Sequence, residues 1–397
     1  PRAGHKSELS GKRILLYVQH LLGIGHLKRA ATLAAALGDA GCEVTFVTGG
    51  YPVAGVVPPN ARVVQLPAAG TADLDFRSLL DAHGAPVDEP WRARRREQLL
   101  EAFRAARPHA LIIELFPFGR RQMRFELLPL LDAAHAASPR PLIVSSVRDV
   151  LGQRDPARQD EMLALFERYF DYALVHGDPR FLAFDQTFRH GAKLGGRLHH
   201  TGFIVDRSAS PELRGDAGAG EVLVSAGGGA VGARLLETAI RARPLTSLCS
   251  RRWRLLSGVN LDAATFAELA RLAGHAGAGA VIVERSRSDF RTLLQNCAVS
   301  VSQAGYNTVM EILDCQTRAV IVPFAGGKET EQTLRAHLLA ERGRIEVVAE
   351  DALEPARLAA AIDRAANRAA PGPSPIDLDG ARKSAQLIMQ WAAACAW

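Results

Sequence analysis

The sequence predicts an α/β protein of two Rossmann-like domains facing across a cleft, and three observations predict it. The chain has 397 residues, 48% of them hydrophobic, enough for two cores where one domain takes about 100–200 residues. Short apolar runs alternate with stretches of helical periodicity, the mark of a parallel sheet covered on both faces. The alternation stops at a Ser-, Pro- and Gly-rich stretch, Asp206 to Gly220, and then restarts. The expected boundaries are 1–207 for a first domain, 208–375 for a second, and 376–397 for a C-terminal helical segment, for which packing back on the first domain is one placement. Ligands of such sheets bind beyond the C-terminal ends of the strands. Two facing domains would therefore hold two ligands, which suits a transfer reaction.

In chain order, Arg13 to Gln19 reads as a buried strand, followed by a loop at Gly23 to His26. Ala30, Leu33, Ala34 and Leu37 fall at the i, i+3, i+4, i+7 spacing of one helix face, and Gly41 ends that helix. Strands are predicted at Val44 to Val47, Ala110 to Ile113, Leu142 to Val144 and Tyr172 to Val175. Beyond the linker they recur at Glu221 to Ser225, Arg254 to Ser257, Ala280 to Val283, Ala298 to Ser302, Ala319 to Val322 and Ile345 to Val348. After Pro371, Pro373 and Pro375, one helix is predicted over Arg382 to Trp391.

Composition excludes several classes. No run approaches the roughly 18 apolar residues of a membrane helix, and Pro1 to Arg13 lacks the apolar core of a secretory signal. Cys42, Cys249, Cys297, Cys315 and Cys395 are scattered without a CxxC pair. That argues against a zinc site or disulfide scaffold and for the cytoplasm. The net charge of +6 is mild, and no basic stripe interleaves with aromatics, so nucleic acid is not an expected partner. One basic cluster, Trp91, Arg92, Arg94, Arg95 and Arg96, has two readings: a solvated helix face, or attraction to an anionic acceptor or to anionic lipid headgroups, as at the inner membrane face.

Six segments carry candidate chemistry. Gly23-Ile24-Gly25-His26 follows the first strand, where glycines let backbone N–H groups approach an anion or a hydroxyl. Lys28 breaks the GxGxxG spacing, and the second strand runs into Thr48-Gly49-Gly50 rather than an acidic residue, so a dinucleotide site is disfavoured. Ser225 to Ala230 holds three consecutive glycines, Gly227, Gly228 and Gly229, before a helix whose N-terminus would favour a phosphate. Ser302 to Glu311 repeats that turn: Tyr306, Val309, Met310 and Leu313 share an apolar face, while Asn307 and Glu311 point elsewhere together. A carboxylate there can accept hydrogen bonds from two ribose hydroxyls. Lys328, Glu329, Glu331 and Gln332 gather at another helix start, where Glu331 with Arg335 also reads as an ordinary i, i+4 pair. On the first domain, Glu114 to Arg121 and Ser145 to Asp149 stand at strand ends and would line an acceptor, or else pair internally.

With these segments quoted, the chain resembles the family 28 glycosyltransferases of the GT-B type, including the branch that forms lipid II in peptidoglycan synthesis. It looks closer still to a bacterial group of predicted glycosyltransferases sharing ELFPFGRR, SSVRD and AGYNTVMEIL, here Glu114–Arg121, Ser145–Asp149 and Ala304–Leu313. The likeness runs from about Arg13 to about Arg342. The resemblance implies His26 as general base. It also implies Gly227, Gly228 and Gly229 at the diphosphate, and Gln303, Gly305, Asn307 and Thr308 at the phosphates and Glu311 at the ribose. Glu331 and Gln332 would meet the donor sugar, and the backbone of Val283 to Arg285 would read uracil. Gly25, Glu114, Arg120, Arg148 and Asp149 fall on the acceptor side. The sequence departs from the lipid II branch by one glycine fewer in the first loop, by different acceptor-side segments and by an acidic residue where the sugar pair has Gln.

The reaction expected is inverting transfer of a hexose or N-acetylhexosamine from a UDP-sugar to a hydroxyl of a glycan, a lipid-linked sugar or a small molecule. Backbone N–H groups, helix dipoles and Lys328 would receive the leaving diphosphate. No metal and no cofactor is expected. The strings Asp73-Leu74-Asp75 and Asp377-Leu378-Asp379 do not follow strands that would present them to a metal. A near-neutral imidazole would give a rate that falls as pH drops through about 6–7. Two alternatives stand beside this reading: a UDP-sugar hydrolase or 2-epimerase of the same fold, and a non-catalytic nucleotide-sugar-binding or scaffold protein.

Overall fold

The computed structural model describes residues 11–21, 23–71, 78–151, 155–207, 215–227, 232–258, 261–276, 279–325 and 330–394. The chain divides into two compact units, Pro1–Val205 with Ile376–Trp397, and Asp206–Pro375.

The first unit runs β1 (Arg13–Val18), α1 (Gly25–Asp39), β2 (Glu43–Thr48), β3 (Arg62–Gln65), α2 (Glu89–Ala106), β4 (Ala110–Glu114), α3 (Arg124–Ala136), β5 (Leu142–Arg148), α4 (Pro156–Tyr169), β6 (Tyr172–His176) and β7 (Leu198–His200). The second runs β8 (Val222–Ser225), α5 (Ala233–Ala242), β9 (Trp253–Ser257), α6 (Ala263–Gly274), β10 (Val281–Arg285), α7 (Phe290–Asn296), β11 (Val299–Ser302), α8 (Tyr306–Asp314), β12 (Ala319–Ile321), α9 (Glu331–Glu341), β13 (Glu346–Val347) and α10 (Pro355–Asn367). A last helix, α11 (Gly380–Ala394), belongs to the first unit.

The first sheet has the order β3-β2-β1-β4-β5-β6-β7 and the second β10-β9-β8-β11-β12-β13. Every pairing between these strands is parallel. In each unit the third strand in sequence lies at one edge, and the order reverses between the unit's first and fourth strands. That reversal opens a crevice at the strands' C-terminal ends where doubly wound sheets bind ligands.

Alternation along β1 shows how one strand serves two cores. Leu15 and Tyr17 pack with α2, α3 and α4, while Ile14, Leu16 and Val18 pack with α1 and α11, as the two-residue strand period requires. α11 completes that second face: Ile388 and Met389 are buried in it, and Trp391 stacks on Tyr172 at 4.0 Å. The second unit has its own core, built on Val224, Leu255, Val301 and Val320 with Leu236 and Ile362 from the helices.

Two strands escape the sequence reading. β3 is a four-residue edge strand with all four positions exposed or half-exposed, and β7 has only three residues, all half-buried. Neither buries enough apolar surface to leave an apolar run. The basic cluster at 91–96 is also corrected. Trp91, Arg95, Leu99 and Phe103 recur every four residues as the buried stripe of α2, so Arg95 lies inside the unit and not on a solvated or lipid-facing surface. Its guanidinium grips Glu126, with Nε 2.6 Å from Oε2, and donates to the carbonyl of Gly49 at 2.8 Å. Tyr17 Oη donates to the same carboxylate at 2.5 Å. A side chain on Gly49 would collide with Arg95, which accounts for glycine directly after β2 where a dinucleotide fold has an acid. Arg92 and Arg96 remain on the outer side, near Glu89.

Candidate active site

The first unit's candidate residues come together at its switch point. Gly25 opens α1 directly after β1, with Ile24 as the N-cap and no side-chain cap, and His26 follows in the first turn. β4 is the neighbour of β1 in the sheet, and it ends at Glu114. The imidazole Nδ1 of His26 lies 3.0 Å from Glu114 Oε1. Arg29, one turn along α1, reaches both: its Nη2 is 3.0 Å from His26 Nδ1 and also binds Glu114 Oε1. Ser146 on β5 donates to the other carboxylate oxygen, Oε2, at 2.5 Å. The side chain of His26 is 14% exposed and that of Glu114 1%, so the carboxylate is sealed behind the ring.

Sterics hold the carboxylate's loop in place. Leu115 and Arg120 both take left-handed backbone angles, φ 68° and 58°, and a side chain on Gly119 would strike Leu115. The bend turns Arg120 back so that its Nε donates to the Gln19 carbonyl at 2.7 Å. Arg148 ends β5 opposite His176, and Asp149 is buried just beyond it.

These positive groups set the ionisation. Burial strips water from His26, Arg120 adds repulsion, and Arg29 and Arg148 add more. The bond to Glu114 opposes them without overcoming them, so the His26 pKa lies well below the ordinary histidine value. This corrects the expectation of a near-neutral imidazole. Burial by itself would raise the Glu114 pKa, but the Arg29 guanidinium and the His26 bond hold it well below the usual carboxylate range. Burial and then Arg148 push Arg120 down to about 10.

In the second unit the glycine turns flank the equivalent switch point. Ser225 at the end of β8 and Ser302 at the end of β11 are register partners. Gly227 has φ 73°, where a glycine is favoured, and its amide donates to Ser225 Oγ at 3.3 Å. Gly228, Gly229 and Lys328 lie outside the described residues. Gly305 is the N-cap of α8, with extended angles and no side-chain cap. Gln303 is buried, whereas Asn307, Thr308 and Glu311 are half-buried. Tyr306, Val309, Met310 and Leu313 form the buried face of α8.

The start of α9 differs from the simple pair read in the sequence. Arg335 is 1% exposed and donates to the carbonyl of Ala304 at 3.0 Å, tying α9 to the turn before α8. Glu331 is buried, and Gln332 accepts from the Phe324 amide at 3.1 Å. At the end of β10, the Arg285 side chain turns away from the edge, onto the Leu261 carbonyl and the Phe266 ring. Of the acidic strings, Asp73 and Asp75 lie outside the described residues, and Asp377 pairs with Lys383. Among the described residues no group of His, Cys, Asp or Glu is arranged to hold a metal.

The sequence reading missed Arg29, Ser146 as a ligand of Glu114, and His176. Arg29 carried a usable signal, since it stands three residues after His26 and shares its helix face. His176 carried a weaker one, a polar residue closing an apolar strand.

Comparison with known proteins matches this geometry at the level of fold. The chain is similar to the MurG structure from Acinetobacter baumannii, at 15% identity over 95% of this chain and 99% of that one, with a TM-score of 0.55. It is similar to the spinosyn forosaminyltransferase SpnP, at 15% identity over 98% and 96%, TM-score 0.60. It is also similar to Phytolacca americana UGT2 complexed with UDP-2fluoro-glucose and pterostilbene, at 13% identity over 97% and 94%, TM-score 0.56. The fold is GT-B. Residues 280–374 match the glycosyltransferase family 28 C-terminal domain, the stretch that contains Gln303 to Glu311 and the start of α9. Together the GT-B fold and this match support a family-28-like glycosyltransferase. No curated protein matches the sequence. No described helix is long and apolar enough to cross a membrane.

Proposed function

We propose that the chain transfers a hexose or N-acetylhexosamine from a UDP-sugar to an acceptor hydroxyl, with inversion and without a metal. The observation that carries the reading is the pairing of His26 with Glu114. An ionised carboxylate only accepts hydrogen bonds. With Nδ1–H donated to Glu114, the lone pair of His26 lies on Nε2. That nitrogen takes the acceptor's proton as the acceptor oxygen bonds to the anomeric carbon and the bond to the diphosphate breaks. The imidazolium formed is then stabilised by Glu114. A lowered histidine pKa keeps the base in its neutral, accepting form, and the adjacent carboxylate restores basicity as the proton arrives.

The donor side of the proposal rests on the family 28 match and on the two turns at the second switch point. Backbone N–H groups at Gly227 and at the start of α8 suit a diphosphate, and Glu311 suits a ribose. Gly228, Gly229 and Lys328 extend this set by sequence. Gln303, Asn307 and Thr308 line the same turn, and Glu331 and Gln332 stand at the sugar end. Arg120, Arg148 and Asp149 line the acceptor side, and the inner face of a membrane is a place where such an acceptor would be met.

A thermal-shift screen with UDP-, GDP- and dTDP-sugars, followed by turnover of the stabilising donor in EDTA, tests the reading. Stabilisation by UDP-sugars and transfer that survives chelation are expected. Stabilisation by dTDP- or GDP-sugars alone would overturn the donor assignment, and loss of turnover restored by manganese or magnesium would overturn metal independence. Sugar release to water or an epimerised donor without acceptor would favour the hydrolase or epimerase reading. Donor binding with no chemistry of any kind would favour a binding protein.

A further inference from the structure

Behind Glu114 the polar chain continues into the core of the first unit. Ser146 Oγ lies 2.8 Å from His176 Nε2, and His176 Nδ1 lies 3.0 Å from Thr201 Oγ1. His176 is fully buried, and Ser146 and Thr201 are buried with it. β5 and β6 place these groups in register, with Ser146 beside Leu174 and Arg148 beside His176. A buried polar chain of this kind has to be satisfied along its length or it is destabilising.

Each proton in the chain can be assigned from the chemistry of its neighbours. Glu114 is ionised, so the single hydroxyl proton of Ser146 goes to Oε2. Ser146 Oγ must then accept from His176, which places the ring proton of His176 on Nε2. Burial pushes the His176 pKa down to about 3, so the ring is neutral and Nδ1 keeps a lone pair. Thr201 Oγ1 lies against it, with the Gly202 carbonyl a second acceptor for its one proton at 3.1 Å. The order of donation is His176 to Ser146 to Glu114, converging on the carboxylate that faces His26.

The other end of the carboxylate is contested. Arg29 Nη2 and Glu114 Oε1 both stand 3.0 Å from His26 Nδ1, and they ask opposite things of it. Glu114 requires a proton on Nδ1, while an Arg29 donor requires a lone pair there. The carboxylate wins only while Oε1 stays aimed at the ring.

We infer that His176, acting through Ser146, is the positioning residue that holds Glu114 toward His26 and so fixes Nε2 of His26 as the proton-accepting nitrogen. The inference rests on the base assignment made under the proposed function. Without the Ser146 bond, Oε2 is left unsatisfied, and the carboxylate turns Oε1 away from the ring and from the Arg29 Nη2 that also binds it. Arg29 then donates to Nδ1, and the His26 proton moves to Nε2, where it blocks the base.

The test is nitrogen-15 NMR of the histidine rings in the full chain, with His26 assigned from His26→Gln, alongside kcat and donor affinity. Wild type is expected to carry the His26 proton on Nδ1. Ser146→Ala and His176→Phe are expected to move a substantial share of it to Nε2 and lower kcat about ten- to a hundredfold, the scale of losing a partner that orients a functional histidine, with donor affinity unchanged. His176→Gln, whose amide still donates to Ser146, should restore both the tautomer and most of kcat. The Phe and Gln pair decides the matter alone if Ser146→Ala does not fold. A His26 proton that stays on Nδ1 in Ser146→Ala and His176→Phe overturns the relay and leaves the base assignment standing. A wild-type proton on Nε2 overturns both.

Discussion

The two switch points share one sheet order and are furnished in opposite ways. At the end of β1 and β4 the space is occupied by side chains: an imidazole, a sealed carboxylate and guanidinium groups, joined by short hydrogen bonds. At the ends of β8 and β11 it is lined by backbone, at Gly227 and at Gly305, where a side chain would meet no atom of the described residues within 4 Å. The first arrangement fixes protonation states and leaves little freedom. The second leaves room and unfilled helix N-termini. On the proposed function, one end suits proton transfer and the other an anion with its own shape. Substitutions should therefore split cleanly, with rate effects in the first unit and affinity effects in the second.

The largest effect tests that split directly. His26→Ala should lower kcat by about a hundred- to ten-thousandfold, the contribution of a general base, or about 3–5 kcal/mol of barrier. The dissociation constant for UDP should stay within about twofold. Steady-state kinetics with calorimetry on the same preparation separate the two. Lost UDP binding with kcat kept at saturating donor would make His26 a diphosphate ligand and erase the contrast between the units.

Acid sensitivity should come next, and it should concentrate in the first unit. His20, His26, His109, His176 and His200, all in that unit, have pKa values lowered first by burial. A histidine whose folded pKa is lowered binds fewer protons than in the unfolded chain, so stability rises with pH across the gap. The contribution is complete above the unfolded value of about 6.5 and is lost as pH falls toward the folded value, at about 1.4 kcal/mol per pH unit for each fully buried ring. For His176 the window runs from there down to about 3. Glu114, held low by Arg29 against burial, adds a loss in the same direction below about pH 4.3. Hydrogen exchange at pH 7 and pH 5 should show the first unit opening sooner, and His176→Gln should have a shallower slope in urea melts. By the same sign, the acid limb of kcat should fall below the ordinary histidine range, because His26 must be neutral to accept.

The contrast between the units also explains what the sequence disclosed. Strand-helix alternation and the two glycine turns could be read because backbone period and glycine position are local properties. His26 could be read because it stands on a turn. The grip of Ser146, Arg29 and His176 on Glu114 could not, since it joins α1, β4, β5 and β6 across the sheet. Little local marks Arg95 as buried either. Its partners Glu126 and Gly49 are distant in sequence, and only the four-residue recurrence with Trp91, Leu99 and Phe103 hints that it faces inward.

Glu311 sharpens the affinity side. Glu311→Ala should weaken UDP-sugar binding by about 1.5–3 kcal/mol, the scale of hydrogen bonds to a charged group, with kcat at saturating donor nearly unchanged. Its half-buried place on α8, off the apolar face of Tyr306 and Met310, motivates this. An unchanged dissociation constant in a folded variant would make Glu311 a helix surface residue.

Gly305 gives the smallest effect and the cleanest test of the second unit. Most glycines that matter to the fold show why. Gly49 makes room for Arg95 and Gly119 for Leu115, and Gly227 has φ 73°. Gly305 has φ −60° and ψ 141°, angles any residue adopts, and open space where a side chain would stand. The described residues give no steric reason for glycine there, but a phosphate drawn to the backbone N–H groups of α8 would. Gly305→Ala should leave thermal stability nearly unchanged, because reduced freedom in the unfolded chain offsets the slightly poorer N-cap. Affinity for UDP should fall about tenfold, or about 1.4 kcal/mol, through contact with the added methyl group. Calorimetry with UDP, next to a thermal melt of the free protein, reads both. A variant that melts early but binds normally would show that the glycine serves the fold. One that melts and binds as wild type would remove Gly305 from the anion site and leave Gly227 and its neighbours to hold the diphosphate.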